Sequence, residues 1–364
     1  MGGHHDRPSG SLAAAAEDAV RTSEAGGTTA PTAQEPTGTD TLSDVLEAVR
    51  LTGALFFLVD ASTPWAAEAP ATAALAPAIL PRTQHVISYH LITRGACWCE
   101  IAGRPPVPLV AGDVIVIPHG DAYALSSEPG LRSGLTLEET LGWFRQMTTG
   151  QLPFVVDEGG GGPERIGVVC GFLGCDASPF NPVLATLPGL LHVPRSRAGE
   201  DRLSALIDLA VAEARDRRAG GRSVLLRIGE LMFVEVVRRY LSSMRADEAG
   251  WLAGLRDPVV GRALALLHET PARSWTLDDL AREAGASRSV LTERFAHLVG
   301  QPPMHYLAAW RIQLASRRLA DGATKISSVA GEVGYESEAA FSRAFKRLTG
   351  VAPAVWRSRQ IGSN

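Results

Sequence analysis

The chain reads as an α+β multidomain protein with three parts: an N-terminal β-barrel, a helical hairpin, and an all-α C-terminal domain of two helix-turn-helix units joined by a long helix. Three observations predict this. A motif near the C-terminus restarts after 49 or 50 residues. Short apolar runs broken by Gly and Pro fill residues 53 to 169. Between these regions, two segments with helical apolar spacing flank Gly220-Gly221.

Residues 1–39 are rich in Gly, Ala, Thr, Pro and Glu and nearly lack large apolar side chains, so they are expected to be disordered. Order is expected from Asp40, where Leu42, Val45, Leu46 and Val49 recur at helical spacing and Asp40 or Thr41 can serve as N-cap. The runs Ala54-Leu-Phe-Phe-Leu-Val, His85-Val-Ile-Ser-Tyr-His-Leu-Ile, Cys97-Trp-Cys-Glu-Ile and Val114-Ile-Val-Ile then read as strands, and their rhythm suggests a small barrel or jelly roll. The sharpest feature is Gly112-Asp-Val-Ile-Val-Ile-Pro-His-Gly, in which a Gly-Asp turn opens a buried four-residue strand and Pro-x-Gly closes it.

From Arg202 to Arg217, Leu203, Leu206, Ile207, Ala210, Val211 and Ala214 form one apolar stripe. Ser223 can cap a second helix running to about Met244. The resulting hairpin either packs on its own barrel or supplies a dimer contact. Residues 246–256 read as a linker.

The repeat carries the most information. Ala281, Glu283 and Gly285 recur 49 residues later as Ala330, Glu332 and Gly334; Phe295, Gly300 and Pro303 recur 50 residues later as Phe345, Gly350 and Pro353, with Tyr306 answering to Trp356. The extra residue falls in the turn. In the first unit Thr276 caps a short helix, Gly285 supplies a left-handed turn, and Ser287 caps a helix whose Val290, Leu291, Phe295 and Leu298 face the core. In the second, Ala340, Phe341, Phe345 and Leu348 are expected to anchor the corresponding helix. Residues 306–319 form a helical spacer able to hold both units on one DNA face about 34 Å apart.

Charge agrees with this division. From Leu255 onward, 15 Lys and Arg stand against 10 Asp and Glu, a net of +5, which leaves −9 on the rest of a chain of −4. No apolar run is long enough to span a membrane and no secretory signal is evident, so a cytoplasmic location is expected. Four cysteines make no disulfide scaffold.

The second unit, from Arg318-Leu through Ile326-Ser-Ser-Val-Ala-Gly-Glu-Val-Gly-Tyr to Gly350-Val-Ala-Pro, resembles the signature of the AraC/XylS family of transcription regulators. The N-terminal part is similar, less specifically, to the cupin-like sensing domain of one branch of that family, through Ser43-Asp-Val-Leu, Pro64-Trp, His90-Leu-Ile-Thr-Arg-Gly, Gly112-Asp, Cys170-Gly and Leu187-Pro. The resemblance implies a cupin-like β-barrel sensing domain at 40–200, a dimerisation hairpin at 201–245 and a DNA-binding domain at 257–364. It implies double-stranded promoter DNA as partner, RNA polymerase as a further one, a small-molecule effector, a homodimer, and activation rather than repression. No membrane partner is expected.

On the recognition helices, side chains off the core stripe can meet DNA: Arg288, Ser289, Thr292 and Glu293 in the first unit, Ser337, Glu338, Ala339, Ser342 and Arg343 in the second. Arg343 is the strongest candidate, because a guanidinium can donate two hydrogen bonds to guanine. Glu293 either accepts from cytosine or orients Arg288 or Arg294. Lys346 and Arg347 suit phosphates.

In the barrel, His90, Trp98 and Tyr123 are candidates to line an effector pocket. Cys97 and Cys99 share a strand face, and Cys170 and Cys175 bracket Gly171-Phe-Leu-Gly; either pair is a redox candidate beside the plainer reading of buried filler. The rival function is a cupin-type metal-dependent enzyme fused to a helical module. His85, His90 and His119 are its available ligands, but no His-x-His pair occurs and Tyr123 stands where a ligand histidine belongs. No metal, no cofactor and no catalysis are therefore expected.

Overall fold

The computed structural model describes residues 40–48, 51–81, 83, 85–149, 155–175, 180–195, 202–216, 218–245, 249–320 and 324–361. The expected disordered segment 1–39 lies outside them. The sensing region runs α1 (Thr41–Ala48), β1 (Leu51–Ser62), β2 (Ala66–Ala69), α2 (Thr72–Ile79), β3 (His85–Arg94), β4 (Ala96–Ile101), β5 (Val107–Val110), β6 (Val114–Ile117), β7 (Tyr123–Ser126), α3 (Leu137–Thr148), β8 (Val155–Gly159), β9 (Arg165–Cys175), α4 (Pro182–Thr186) and β10 (Leu191–Val193). Asp40 caps α1, accepting from Ser43 N (3.2 Å) and Ser43 Oγ (2.6 Å).

The strands do not close into the expected barrel. They form two open sheets, one of six strands in the order β10-β6-β3-β9-β1-β8 and one of four in the order β2-β7-β4-β5. Closure needs two hydrogen-bonded neighbours for every strand, and β10, β8, β2 and β5 each have one. The physical reason lies at the corners. After β3 the chain turns at Gly95 (φ 74°), where a Cβ would meet Arg165 O at 2.3 Å, and enters the other sheet as β4. It returns at Gly112-Asp113. There the buried Asp113 carboxylate accepts from Val110 N (3.1 Å), Arg195 N (3.1 Å) and His192 Nε2 (3.0 Å), so the Gly-Asp motif is a loop anchor. Strand rhythm in a sequence gives the number of strands but not which of them pair.

Period-two alternation on the six-stranded sheet explains its continuous apolar runs. Phe57, Val59, Ile115, Ile117, Val168 and Phe172 face the four-stranded sheet and form one core. Phe56, Leu58, Val114, Val116, Val169 and Leu173 face the opposite way. The helical hairpin, α5 (Arg202–Asp216) and α6 (Gly221–Ser243), covers that second face with Ile228, Met232, Phe233 and Val236, each burial worth about 2 kcal/mol. Ser223 does not cap α6. The helix opens two residues earlier behind Gly220, whose φ of 83° makes the bend.

Part of the expected linker is also helical: α7 (Trp251–Arg256) buries Trp251 and Leu252. The remainder is all α: α8 (Pro258–Glu269), α9 (Leu277–Glu283), α10 (Arg288–Val299), α11 (Pro303–Ala320), α12 (Ile326–Glu332), α13 (Glu338–Thr349) and α14 (Pro353–Ile361). The core of the first helix-turn-helix unit, with Leu280, Leu291, Phe295 and Tyr306, is continuous with the hairpin side of the sensing region. The second unit has a separate core around Val329, Phe341 and Phe345. No described helix is long and apolar enough to cross a membrane.

Candidate nucleic-acid interface and sensing pocket

The two turns are nearly superimposable in their bonding. Ala286 N donates to Ala281 O and Tyr335 N to Ala330 O, both at 2.9 Å, after glycines at φ 73° (Gly285) and 88° (Gly334). Ser287 Oγ then caps α10 by accepting from Val290 N (3.4 Å), and Ser337 Oγ caps α13 by accepting from Ala340 N (3.2 Å). Gly300 and Gly350, both at φ 79°, end these helices. Phe295 meets Tyr306 edge-on at 5.7 Å, and Phe345 meets Trp356 at 5.9 Å.

Opposite these cores lie the expected readers. Arg288, Ser289 and Glu293 are exposed on α10 with Thr292 half-buried; Glu338, Ala339 and Arg343 are exposed on α13 with Ser342 half-buried, and Ser337 is exposed at its cap. Lys346 and Arg347 are exposed in the last turn. Arg343 has no hydrogen-bond or ion-pair partner among the described residues. Arg288 already pairs with Asp278 (3.3 Å), and Arg294 pairs with Asp257. Glu293 thus orients neither arginine. Val290 and Leu348, expected in the core, are 41% and 42% exposed. Each lies beyond the edge of the buried stripe, which a residue count along the helix places too broadly.

The relative setting of the units depends on Arg311 in α11. Its guanidinium donates to Pro271 O and Arg273 O (both 2.7 Å) and lies 5.7 Å from the centre of the Tyr335 ring. Burial pulls its pKa down and pushes that of Tyr335 up. Gly334 packs against the same loop; a Cβ there would meet Ala272 O at 2.5 Å.

In the sensing region a cleft open to solvent lies between the sheets beneath α3. His90 and Tyr123 line it, joined by a 2.5 Å hydrogen bond. Burial lowers the His90 pKa to about 3, so the ring is neutral. Its Nδ1 has no hydrogen-bond partner among the described residues. Trp98 does not reach the cavity. On β4 it alternates with the buried Cys97 and Cys99 and lies half-buried on the other face.

Sequence reading missed the aromatic wall. Phe57 packs at 5.2 Å from Trp143 and 6.1 Å from Phe172, and Phe144 at 5.4 Å from Phe172. Trp143 and Phe144 come from α3, whose start was legible as a capping box: Thr136 Oγ1 accepts from Glu139 N (3.3 Å), and Thr136 N donates to the Glu139 carboxylate (2.8 Å).

The cysteines are all buried. Cys170 and Cys175 sit five positions apart on β9 and face opposite cores. An extended strand separates them by about 16 Å, beyond the roughly 7 Å a disulfide tolerates. Burial holds the Cys97 and Cys99 thiols up at about 12, leaving little thiolate at neutral pH. The three histidines considered as metal ligands are separately engaged: His85 with Pro118 O (2.6 Å), His119 with Leu187 O (2.8 Å) and His90 with Tyr123. Among the described residues no group of three or more His, Cys, Asp or Glu is placed to hold a metal.

Comparison with known proteins agrees with this anatomy. A cupin family model matches residues 40–242, and a helix-turn-helix domain model matches residues 280–359. A putative AraC-like transcription regulator of Streptomyces lividans is 33% identical over 322 residues, covering 87% of this chain and 98% of that one. A putative AraC-like regulator of Streptomyces antibioticus is 31% identical over 281 residues, 76% of this chain and 88% of its own. The HTH-type transcriptional regulator AlkR of Acinetobacter baylyi is 25% identical over 322 residues, 88% and 99% of the two chains. With the paired reading units and the cupin-type sensing region in one chain, the protein belongs to the AraC family of sequence-specific, DNA-binding transcription regulators.

Proposed function

We propose that this protein binds promoter DNA in the cytoplasm as a homodimer, and that a small molecule held between its two sheets controls that binding. The observation that carries the DNA half of the reading is the paired geometry of the turns, which presents α10 and α13 through the same bonding. Arg343 reads a guanine, Ser337, Glu338 and Ser342 border it, and Lys346 and Arg347 hold phosphates. Arg288, Ser289, Thr292 and Glu293 make the smaller contribution of the first unit. Activation, through contact with RNA polymerase, is the expected sign of regulation.

Dimerisation is assigned to the hairpin. One face of α6 is consumed by its own sheet, while Val224 and Leu231 on α6 and Leu209 on α5 are 39%, 54% and 52% exposed. Packing on the sheet uses one face of the hairpin, and the dimer contact is assigned to the exposed residues of the other. Control is assigned to the cavity of His90 and Tyr123, whose neutral imidazole and aromatic surroundings suit a small organic ligand.

Selection of genomic fragments by the full-length protein tests the DNA reading. The expected result is a small set of promoter sites with two short blocks about 34 Å apart. Arg343→Ala should weaken binding by about 1–3 kcal/mol and relax one base position. An unchanged binding profile in that variant removes Arg343 from the readers. Failure of both the full chain and residues 257–364 to retain specific fragments overturns the reading.

A further inference from the structure

We propose that the cavity between the sheets selects a lipophilic organic cation, with a ring-bearing apolar body against Phe57, Trp143 and Phe172 and a single amine at Glu158. The assignment rests on the reading of this cavity as the effector site, and gives that site a ligand class.

Glu158 is the group that sets the class. It sits on the edge strand β8, in register with Ala61, and alternation turns it to the same side as the buried Val156. Its carboxylate lines the cavity and has no hydrogen-bond or ion-pair partner among the described residues. Burial raises its pKa, as expected for an acid that has lost water and gained no counter-charge. The basic side chains nearby are already engaged. Arg165 pairs with Asp60 (2.8 Å) and Asp157 (3.5 Å), and Arg132 with Glu100 (2.5 Å) and Glu68 (3.7 Å).

Three ligand charges can then be compared. An anion would meet Glu158 and no Lys or Arg among the described residues lining the cavity, so it is repelled. A neutral hydrocarbon would dry the cavity and leave an acid there unpaired, which is costly. An ammonium pairs with Glu158, while Phe57 and Trp143 of the same lining pack against its apolar body. His90, 3% exposed, adds no charge to the cavity wall. A bare metal ion is a poor alternative, because no group of three donors surrounds the acid among the described residues.

The test uses three ligands of one shape and different charge, phenylbutylamine, phenylbutanol and phenylbutyrate, titrated calorimetrically into the full-length protein at neutral pH. The amine should bind about tenfold tighter than the alcohol, and the carboxylate most weakly. Glu158→Gln should bring the amine level with the alcohol while alcohol affinity holds, which shows that the variant is folded. Equal or tighter binding of the carboxylate, or an amine preference that survives Glu158→Gln, overturns the assignment. Alcohol binding with no amine preference removes the cation and leaves the effector cavity standing. If none of the three binds, nor the neutral dye N-phenylnaphthylamine, both the cation and the effector cavity fall.

Discussion

In the first helix-turn-helix unit the aromatic that closes the core, Tyr306, is a hub: Trp251 Nε1 donates to its hydroxyl (2.8 Å), which in turn meets His268 Nε2 (2.8 Å). His268 stacks on Trp310 at 4.1 Å and turns Nδ1 toward Asp44 of the sensing region, 3.5 Å away. In the second unit Trp356 occupies the matching place, and its indole N–H is buried without a partner among the described residues. The backbone pattern is shared, but the surroundings are not. The first unit is built into the sensing region through α1, α7 and α8, with a further bond from Phe180 N to Gln313 (3.0 Å). The second unit keeps its own small core and the unpaired Arg343. A duplicated motif thus sits in two settings: one copy shares a core with the sensing region, and the other packs on its own.

The largest expected difference concerns the turn glycines. Gly334→Ala must bear left-handed strain and also push its Cβ against the backbone of Ala272, whereas Gly285 opens on free space. We expect a cost of about 4 kcal/mol for Gly334→Ala and about 1 kcal/mol for Gly285→Ala. Hydrogen exchange along α13 and α10 measures each. Equal costs would mean that the second unit does not depend on its contact with the loop holding Ala272 and with Arg311.

Next is the hub. Tyr306→Phe leaves the Trp251 N–H and His268 Nε2 without their partner in a buried site, and should cost about 3 kcal/mol. Trp356→Phe loses no hydrogen bond present in the structure, and about 1 kcal/mol of packing is expected. Chemical unfolding of the full chain separates the two. A small effect at Tyr306 would show that the polar junction does not hold the first unit to the sensor.

Acid should act on the same asymmetry. His90 and His268 both have pKa values depressed by burial, His90 to about 3. An imidazole whose folded pKa lies below its unfolded value near ~6.5 binds more protons when unfolded, so its stabilisation is present above that value and is lost as pH falls. Between about pH 6.5 and 5, His90 alone should remove roughly 2 kcal/mol from the sensing region. The described second unit, residues 324–361, contains no histidine. Exchange protection in α13 should therefore outlast that in β3 and α8 on acidification. Simultaneous loss would show the two cores to be one cooperative unit.

These contrasts also show what the sequence reveals. Gly285, Gly334 and the Phe-x4-Gly-x2-Pro punctuation fix local backbone geometry, so the reading domain was legible from spacing alone. The cavity was half legible. Of the candidates His90, Trp98 and Tyr123, the first and last line it and Trp98 does not, and the facing of Phe57, Phe172 and Trp143 depends on which sheet each strand joins, a long-range property. The open sheets were misread for the same reason. Glu158 is one acid in the run Val155-Val-Asp-Glu-Gly, and only the register of β8 on β1 turns it inward.

The smallest expected effect is the sharpest test of the division between units. Arg288 and Arg343 look equivalent in sequence, each an arginine on the exposed side of a recognition helix. In the structure Arg288 is held by Asp278 in the first turn of the preceding helix, with both side chains well exposed. Contacting DNA would require exchanging that pair for a phosphate or a base, and the exchange gives back most of what the contact supplies. Arg288→Ala should therefore lower operator affinity by less than about 1 kcal/mol and leave base preferences unchanged, while Arg343→Ala costs about 1–3 kcal/mol. Binding of both variants to a selected site at two salt concentrations distinguishes the roles, because loss of a phosphate contact reduces the salt slope by about one. Equal losses would mean that the Asp278 pair opens on DNA and that the first unit reads as strongly as the second.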